Sequence, residues 1–172
     1  MELQELISNI EQWAEDRNLI EGSTPQKQML KLMEEFGELC SGVSKNKPEM
    51  IKDSIGDCFV VLVILNHQLE GVINIPILLS DVCAGLRKAE MTDDKDVTLL
   101  LTTTYLGRLS RAVAVIEVEE VIESLAFVIS ALFVLSSKLY LDFQDCIKHA
   151  YDQIKNRKGK MINGVFVKEE DL

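Results

Sequence analysis

The chain has 172 residues, of which 47% are hydrophobic, so it can bury the core of one domain or of two small ones that share a core. A formal net charge of -10 argues against a partner with a nucleic-acid backbone, because proteins that bind such backbones normally carry an excess of Lys and Arg. The acidic, amphipathic N-terminus does not resemble a signal peptide, and the longest apolar run, Cys58 to Leu65, is far too short to span a bilayer. The four cysteines lack metal or redox spacing and are predicted to be reduced core residues. We therefore expect a cytoplasmic protein with no membrane partner.

Apolar residues recur at helical spacing almost throughout the chain, and only three prolines occur, which predicts an all-α bundle of about seven helices. Thr24 followed by Pro25 is typical of a helix start, with the threonine as N-cap. In the tail, Asn-Gly between Ile162 and Val165 predicts a short β-hairpin. The expected helices cover about 2–17, 24–44, the stretch from the SKNKP break to 69, 74–90, 97–114, 117–139 and 142–156.

The chain also resembles itself at an offset of 70 residues, without gaps, from the second helix to the end of the fourth. FGELCSGV at 36–43 aligns with LGRLSRAV at 106–113, and RKAEM at 87–91 aligns with RKGKM at 157–161. Chance similarity between amphipathic helices is the alternative, but it rarely keeps one register through three loops. We therefore predict one all-α domain, 1–172, with a first repeat at about 26–91 and a degenerate second repeat at about 96–161.

Two pairs of acidic residues stand on successive helices. Glu35 and Glu38 share one helix face, and Asp53 and Asp57 share a face of the next helix. Clustered carboxylates repel each other unless a cation lies among them, and hard oxygen ligands select Mg²⁺ or Mn²⁺. The alternative is a solvated helix face and a charged first helical turn. In the second repeat Thr104, Tyr105, Arg108 and Phe127 replace Glu34, Glu35, Glu38 and Asp57, so helix packing does not require the acids, whereas Glu123 keeps an acid at the position of Asp53.

The motif E-E-F-G-E-L followed by I-K-D-S-I-G-D resembles the MazG-like all-α NTP pyrophosphatases, relatives of dimeric dUTPases and phosphoribosyl-ATP pyrophosphohydrolase. The family pattern E-x-x-E, then E-x-x-D, matches at Glu35, Glu38 and Asp57, but Ser54 stands at the third acid, with Asp53 one residue earlier. The fourth ligand position therefore stays open between Asp53 and Ser54. The resemblance implies a Mg²⁺-dependent hydrolase, with Mn²⁺ as a possible substitute, that converts an NTP or dNTP to the monophosphate and pyrophosphate. The implied metal ligands are Glu35, Glu38, Asp53 and Asp57, and Glu34 or Glu38 would activate the attacking water.

Relatives of this kind usually build their bundle from two subunits, so the duplicated chain is expected to form an intramolecular pseudo-dimer. Its second repeat would be a silent partner that completes the substrate pocket. The protein would then be a monomer, or would pair again as a homodimer.

Several residues are candidates for binding the nucleotide. Trp13 could stack on a base or pack in the core, and Lys31 could reach substrate or simply pair with Glu35. The basic cluster after the seventh helix could hold phosphates, as could Arg87 and Lys88 in the first repeat, or could only complement a helix dipole. The candidate substrate-binding residues are Trp13, Gln28, Lys31, Lys155, Arg157, Lys158 and Lys160.

Two other functions are compatible with the same residues. Because the third family acid is missing at Ser54, the chain could bind or sense a nucleotide without hydrolysing it. It could also be a helical interaction protein whose acidic residues are only surface residues. The sequence does not indicate which base or sugar would be preferred.

Overall fold

The computed structural model describes residues 2–86 and 94–172, which form helices joined by short turns and end in a two-stranded sheet. This confirms the predicted all-α class and the C-terminal hairpin. The helices are α1 (Leu3–Asp16), α2 (Pro25–Ser44), α3 (Pro48–Gln68), α4 (Ile75–Leu86), α5 (Lys95–Val115), α6 (Val118–Lys138) and α7 (Phe143–Ile154), followed by strands β1 (Gly159–Ile162) and β2 (Val165–Lys168) and a short 3-10 turn (Glu169–Asp171).

The start of α2 follows from its local sequence. The Thr24 hydroxyl accepts a hydrogen bond from the Lys27 backbone N–H at 3.3 Å, and Pro25 occupies the first turn, where its missing N–H costs nothing. The predicted continuation of the fourth helix from 87 to 90, with Arg87 and Lys88, lies outside the described residues.

One compact unit contains Met1–Gly71 and Gln144–Leu172. Its central element is α3, in which every residue from Cys58 to Asn66 is buried, as expected for a helix that is apolar on all sides. Gly56 allows α7 to pack closely against α3, because a Cβ at this position would collide with the carbonyl oxygen of Cys146. The core of this unit therefore surrounds α3.

The other compact unit contains Val72–Phe143, with α4, α5 and α6. Helix α6 has the same length as α3, 21 residues, and begins 70 positions later. Backbone details recur at the same offset: Asn46 and Ile116 both have left-handed φ angles, of 50° and 59°. Glu70 and Tyr140 do so as well, with φ of 61° and 58°. Both helix pairs, α2 with α3 and α5 with α6, thus have a left-handed residue between their two helices and another just after the second helix.

The hairpin forms at the predicted Asn-Gly. Asn163 and Gly164 have φ angles of 52° and 76°, the left-handed values that a tight two-residue turn requires. Its strands are antiparallel, with Ile162 opposite Val165 and Gly159 opposite Lys168.

Across the described residues, no helix has both the length and the apolar character needed to cross a membrane. None of the four cysteines forms a disulfide within the described residues, and Cys58 and Cys146 are buried while Cys40 and Cys83 are half-buried.

Candidate active site

Five carboxylates line one cavity of about 380 Å³ in the unit built around α3. Helix α2 contributes Glu34, Glu35 and Glu38, and helix α3 contributes Asp53 and Asp57. The two acidic pairs, which the sequence places on separate helices, therefore border the same space.

Glu35 is the most buried of these acids, with 7% of its surface exposed. Its carboxylate pairs with Lys31 Nζ at 2.6 Å, and the same amine lies 3.1 Å from Glu34. Burial alone would lower the pKa of Lys31, but hydrogen bonds and charge from Glu35 and Glu34 outweigh it and raise that pKa above its usual value. Lys31 is therefore a stable cation at the edge of the acidic cluster.

Asp53 is contacted by two side chains of α7, a helix that is distant from Asp53 in sequence. Gln153 Nε2 donates to Asp53 Oδ1 at 2.6 Å, and His149 Nε2 lies 3.4 Å from the same oxygen. Gln153 and His149 are themselves 2.9 Å apart. Neither Gln153 nor His149 was among the sequence candidates, and the sequence carries no local signal for either contact.

Asp57 has the least favourable surroundings for a negative charge. Burial and the nearby charges of Glu35 and Asp53 raise its pKa to about 7, although Arg157 and Lys31 act in the opposite direction. The cluster thus carries more negative charge than its own cations balance.

Ser54, which stands where the family pattern has its third acid, is buried without a side-chain polar contact among the described residues. Ser54 is 1% exposed, and its hydroxyl has no hydrogen-bond partner within the described part of the chain. Such orphaned buried polar atoms are uncommon in folded proteins.

The type of donor fits a hard divalent cation, because all five groups are carboxylates and Arg157 and Lys31 only partly compensate the charge around Asp57. The donors are not gathered around one point, however. Within residues 2–86 and 94–172, no three or more His, Cys, Asp or Glu side chains are arranged to hold a metal ion. Glu35 and Asp53 point at Lys31 and Gln153 instead.

Basic side chains line the same cavity, but they are only partly those expected from the sequence. Lys155 pairs with Asp152 at 2.7 Å, and Lys158 lines a second cavity of about 630 Å³. Lys160 lies on β1 and lines neither cavity. Of the predicted basic cluster only Arg157 reaches the acidic cavity. The basic side chains that line it are Lys27, Lys31, Arg157 and Lys168.

Lys27 and Lys168 were not among the sequence candidates. Lys27 lies one turn before Lys31 on α2, so helical spacing was a usable signal for it. Lys168 had no such signal, since the fold of the hairpin brings it to the cavity.

Uncharged residues form the remainder of the lining. Gln28 and Ser23 are polar and nearly buried, at 6% and 9% exposed, and Gln28 Nε2 lies 3.5 Å from the Ser23 hydroxyl. Trp13 also lines the cavity, as does Phe166 of the hairpin, which the sequence did not indicate. The cavity thus has a charged part and a largely apolar part, completed by Leu19, Val60, Val61 and Ile64.

The second helix pair carries different chemistry at the corresponding positions. Arg108, which replaces Glu38, makes a two-pronged ion pair with Glu120 at 2.6 and 3.0 Å and lies 3.3 Å from Glu123. Tyr105 and Phe127, which replace Glu35 and Asp57, stack with ring centroids 3.5 Å apart. A built-in cation and an aromatic pair thus occupy the positions of the acids.

Fold and cavity together define the class of protein, which is an all-α protein with a charge-lined, partly apolar cavity of the size that small molecules occupy. Residues 23–91, which are less than half of the chain, match the MazG nucleotide pyrophosphohydrolase domain, so this segment is similar to that family. The description of that family names hydrolysis of the pyrophosphate bond of a nucleotide.

One curated relative is the uncharacterized 18.2 kDa protein in the rep-hol intergenic region of Haemophilus phage HP1 (strain HP1c1). It is 81% identical over 67 residues, which are 39% of this chain and 41% of the phage protein. The chain therefore matches less than half the length of this relative. No solved structure matches the chain significantly.

Proposed function

We propose that the protein is a Mg²⁺-dependent nucleoside triphosphate pyrophosphohydrolase that converts an NTP or dNTP to the monophosphate and pyrophosphate. The observation that carries this proposal is the meeting of five carboxylates from α2 and α3 at one cavity, within the segment that matches the MazG domain. The basic side chains around the same cavity suit a substrate with several negative charges.

The metal ligands would be Glu35, Glu38 and Asp57, with Asp53 as the fourth carboxylate. Binding would require Glu35 to turn from Lys31 and Asp53 to turn from Gln153, since both acids are engaged by those partners. Once bound, Mg²⁺ supplies charge neutralisation and polarisation of the phosphate oxygens.

The protein's own groups supply the remainder of the chemistry. A water molecule attacks the α-phosphorus, the bond from that phosphorus to the α,β-bridging oxygen breaks, and pyrophosphate leaves. Glu38 is the better placed of the two candidate bases for the water proton, because Glu34 pairs with Lys31 whereas Glu38 makes no ion pair among the described residues. Lys31, released from Glu35, and Arg157 would hold the phosphates and stabilise the charge of the leaving group.

The test is pyrophosphate release from a panel of NTPs and dNTPs, with and without Mg²⁺. Glu38→Gln should lower kcat by at least about a hundredfold, the usual contribution of a general base, without changing the helical circular dichroism signal. Glu34→Gln is the matched variant and should retain more activity. Full activity of Glu38→Gln would remove Glu38 from the mechanism, and metal-independent activity would overturn the proposal.

We also propose that residues 96–161 are a degenerate copy of residues 26–91 and are catalytically silent. Two observations support the copy: α3 and α6 have equal length at an offset of 70 residues, and left-handed residues recur at that offset. Two others support the silence. Arg108 already neutralises Glu120 and Glu123, and aromatic rings replace the carboxylates of Glu35 and Asp57.

A second candidate is a nucleotide-binding module without turnover, which the unpartnered Ser54 hydroxyl at the third acid favours. Calorimetry with the same panel separates the two. Tight binding of a triphosphate together with no pyrophosphate release would select the binding module.

A further inference from the structure

The apolar part of the acidic cavity contains an aromatic pair formed by distant parts of the chain. The rings of Trp13, on α1, and Phe166, on β2, have centroids 5.9 Å apart and planes inclined by 65°, which is an edge-to-face contact. Both residues line the cavity. Either ring therefore qualifies, from its position, to meet a flat apolar ligand.

Trp13 is already committed to other contacts. Its indole N–H donates to the Ile154 carbonyl at 2.8 Å, and the Arg17 guanidinium lies 4.8 Å from the ring centroid, over the ring. Only 8% of the residue is exposed. Trp13 therefore has little ring surface left for a ligand, and these contacts fix its orientation.

Phe166 is in the opposite situation. It is half-buried, it carries no polar group that needs a partner, and its ring packs over Gly159 of the neighbouring strand, where a Cβ would come within 2.7 Å of it. Its ring is supported on one side by Trp13 and from below by the hairpin backbone. The exposed part of the Phe166 ring is therefore held in place at the cavity.

The strand that carries Phe166 also brings a charge to the same space. Phe166 and Lys168 are two residues apart on β2, so their side chains leave the same face of the strand, and both line the cavity. The turn of the hairpin lies beside the Lys27 side chain of α2, since a Cβ on Gly164 would collide with the Lys27 amine. The hairpin thus presents a ring and a cation side by side, a pattern that suits a base together with its phosphates.

We propose that Phe166 is the residue that contacts the base of the nucleotide, that Trp13 is its positioning residue, and that the C-terminal hairpin is the specificity-determining wall of the site. The inference rests on the proposed function and adds the part of the substrate that the hairpin recognises. The hairpin lies outside residues 23–91, so base recognition belongs to a segment beyond the matched domain. Gln28 and Ser23 are nearly buried at the same cavity, and their uncharged polar groups suit hydrogen bonds to the edge of a base.

The experiment compares Phe166→Ala with Ile162→Ala over a panel of NTPs and dNTPs. Ile162 lies in the same hairpin, is 43% exposed and does not line the cavity, so it controls for general effects on the hairpin. Phe166→Ala should raise KM, or Kd measured by calorimetry, by about tenfold or more, since a stacked base commonly depends this strongly on its aromatic partner. The change in kcat should be smaller, and the differences in KM between nucleotides with different bases should decrease. Ile162→Ala should behave as the wild type.

Phe166→Leu protects the test against loss of folding, because leucine keeps most of the apolar volume but lacks the ring face. It should retain the melting temperature of the wild type and still raise KM. Trp13, the only tryptophan, gives an independent readout: its fluorescence should change when a nucleotide binds to the wild type and change less in Phe166→Leu.

The outcomes separate this inference from the proposed function. If the wild type releases pyrophosphate and both Phe166 variants keep its KM and its ranking of bases, the role of Phe166 is wrong while the hydrolase stands. If the wild type neither binds nor hydrolyses any nucleotide of the panel, the proposed function fails, and this inference fails with it.

Discussion

Replacing Asp57 by asparagine should stabilise the metal-free protein at alkaline pH, although it removes a proposed metal ligand. Burial, with Glu35 and Asp53 nearby, raises the pKa of Asp57 from its ordinary value of 3.8 to about 7. At about 1.36 kcal/mol for each pKa unit, a charged Asp57 lowers the free energy of unfolding by up to about 4 kcal/mol. Asparagine has nearly the same shape and no charge, so it avoids this cost.

The direction with pH follows from the raised pKa. Between about pH 4 and pH 7 the folded state keeps the Asp57 proton while the unfolded state has released it, so this contribution falls as the pH rises and is fully lost above about pH 7. The stability of Asp57→Asn relative to wild type should therefore increase over the same range and then level off. For a chain of this size, each kcal/mol corresponds to a shift in melting temperature of roughly 2–4 °C.

The assay is thermal or urea unfolding of both proteins in a chelator, from about pH 4 to pH 8, followed by titration with Mg²⁺. Asp53→Asn is the comparison variant, because Asp53 accepts a hydrogen bond from Gln153 and is only one of the charges that raise the pKa of Asp57, so its stabilising effect should be smaller. Mg²⁺ should then stabilise the wild type and have little effect on Asp57→Asn, since a ligand specific to the folded state raises its stability. The reasoning fails if Asp57→Asn is the less stable protein at about pH 8 without metal, or if the difference does not depend on pH.

Two further predictions use matched positions. Gly56→Ala should destabilise the protein by roughly 1–3 kcal/mol in urea unfolding, because a Cβ there collides with the Cys146 carbonyl. Gly107→Ala should stabilise it by about 0.5–1 kcal/mol, because a Cβ there meets nothing within 4 Å. Equal effects of the two variants would contradict the packing of α3 on α7. Asp53→Asn should lower Mg²⁺-dependent pyrophosphate release, and Glu123→Gln, at the corresponding position of the second repeat, should leave it unchanged. Loss of activity in Glu123→Gln would show that the second repeat is not silent.

Local sequence was sufficient for the helices and for the hairpin turn. The start of α2 was predictable because a threonine cap and a proline act within one turn, and the Asn-Gly turn was predictable because both residues tolerate left-handed φ angles. The pairing of Glu35 with Glu38 and of Asp53 with Asp57 was equally local, since spacing on one helix places two side chains on one face. For the acids, short-range periodicity therefore indicated the candidates.

The cations of the cavity were less predictable. The sequence groups Lys155, Arg157, Lys158 and Lys160, but only Arg157 lines the acidic cavity, because the chain leaves helical geometry after Ile154 and successive side chains then point in different directions. A cluster in sequence is a cluster in space only where the backbone repeats regularly.

The sequence by itself determined the helices, the hairpin and the acidic residues, because each depends on contacts within a few residues or on a motif. Only the tertiary structure decided what surrounds those acids. Gln153 reaches Asp53 across 100 positions, and Trp13 meets Phe166 from the other end of the chain. Contacts of this kind result from how whole helices pack around α3, and no local pattern of residues encodes that packing. The sequence could name the carboxylates of the cavity and Trp13, but it could not name Phe166, which only the fold brings to Trp13.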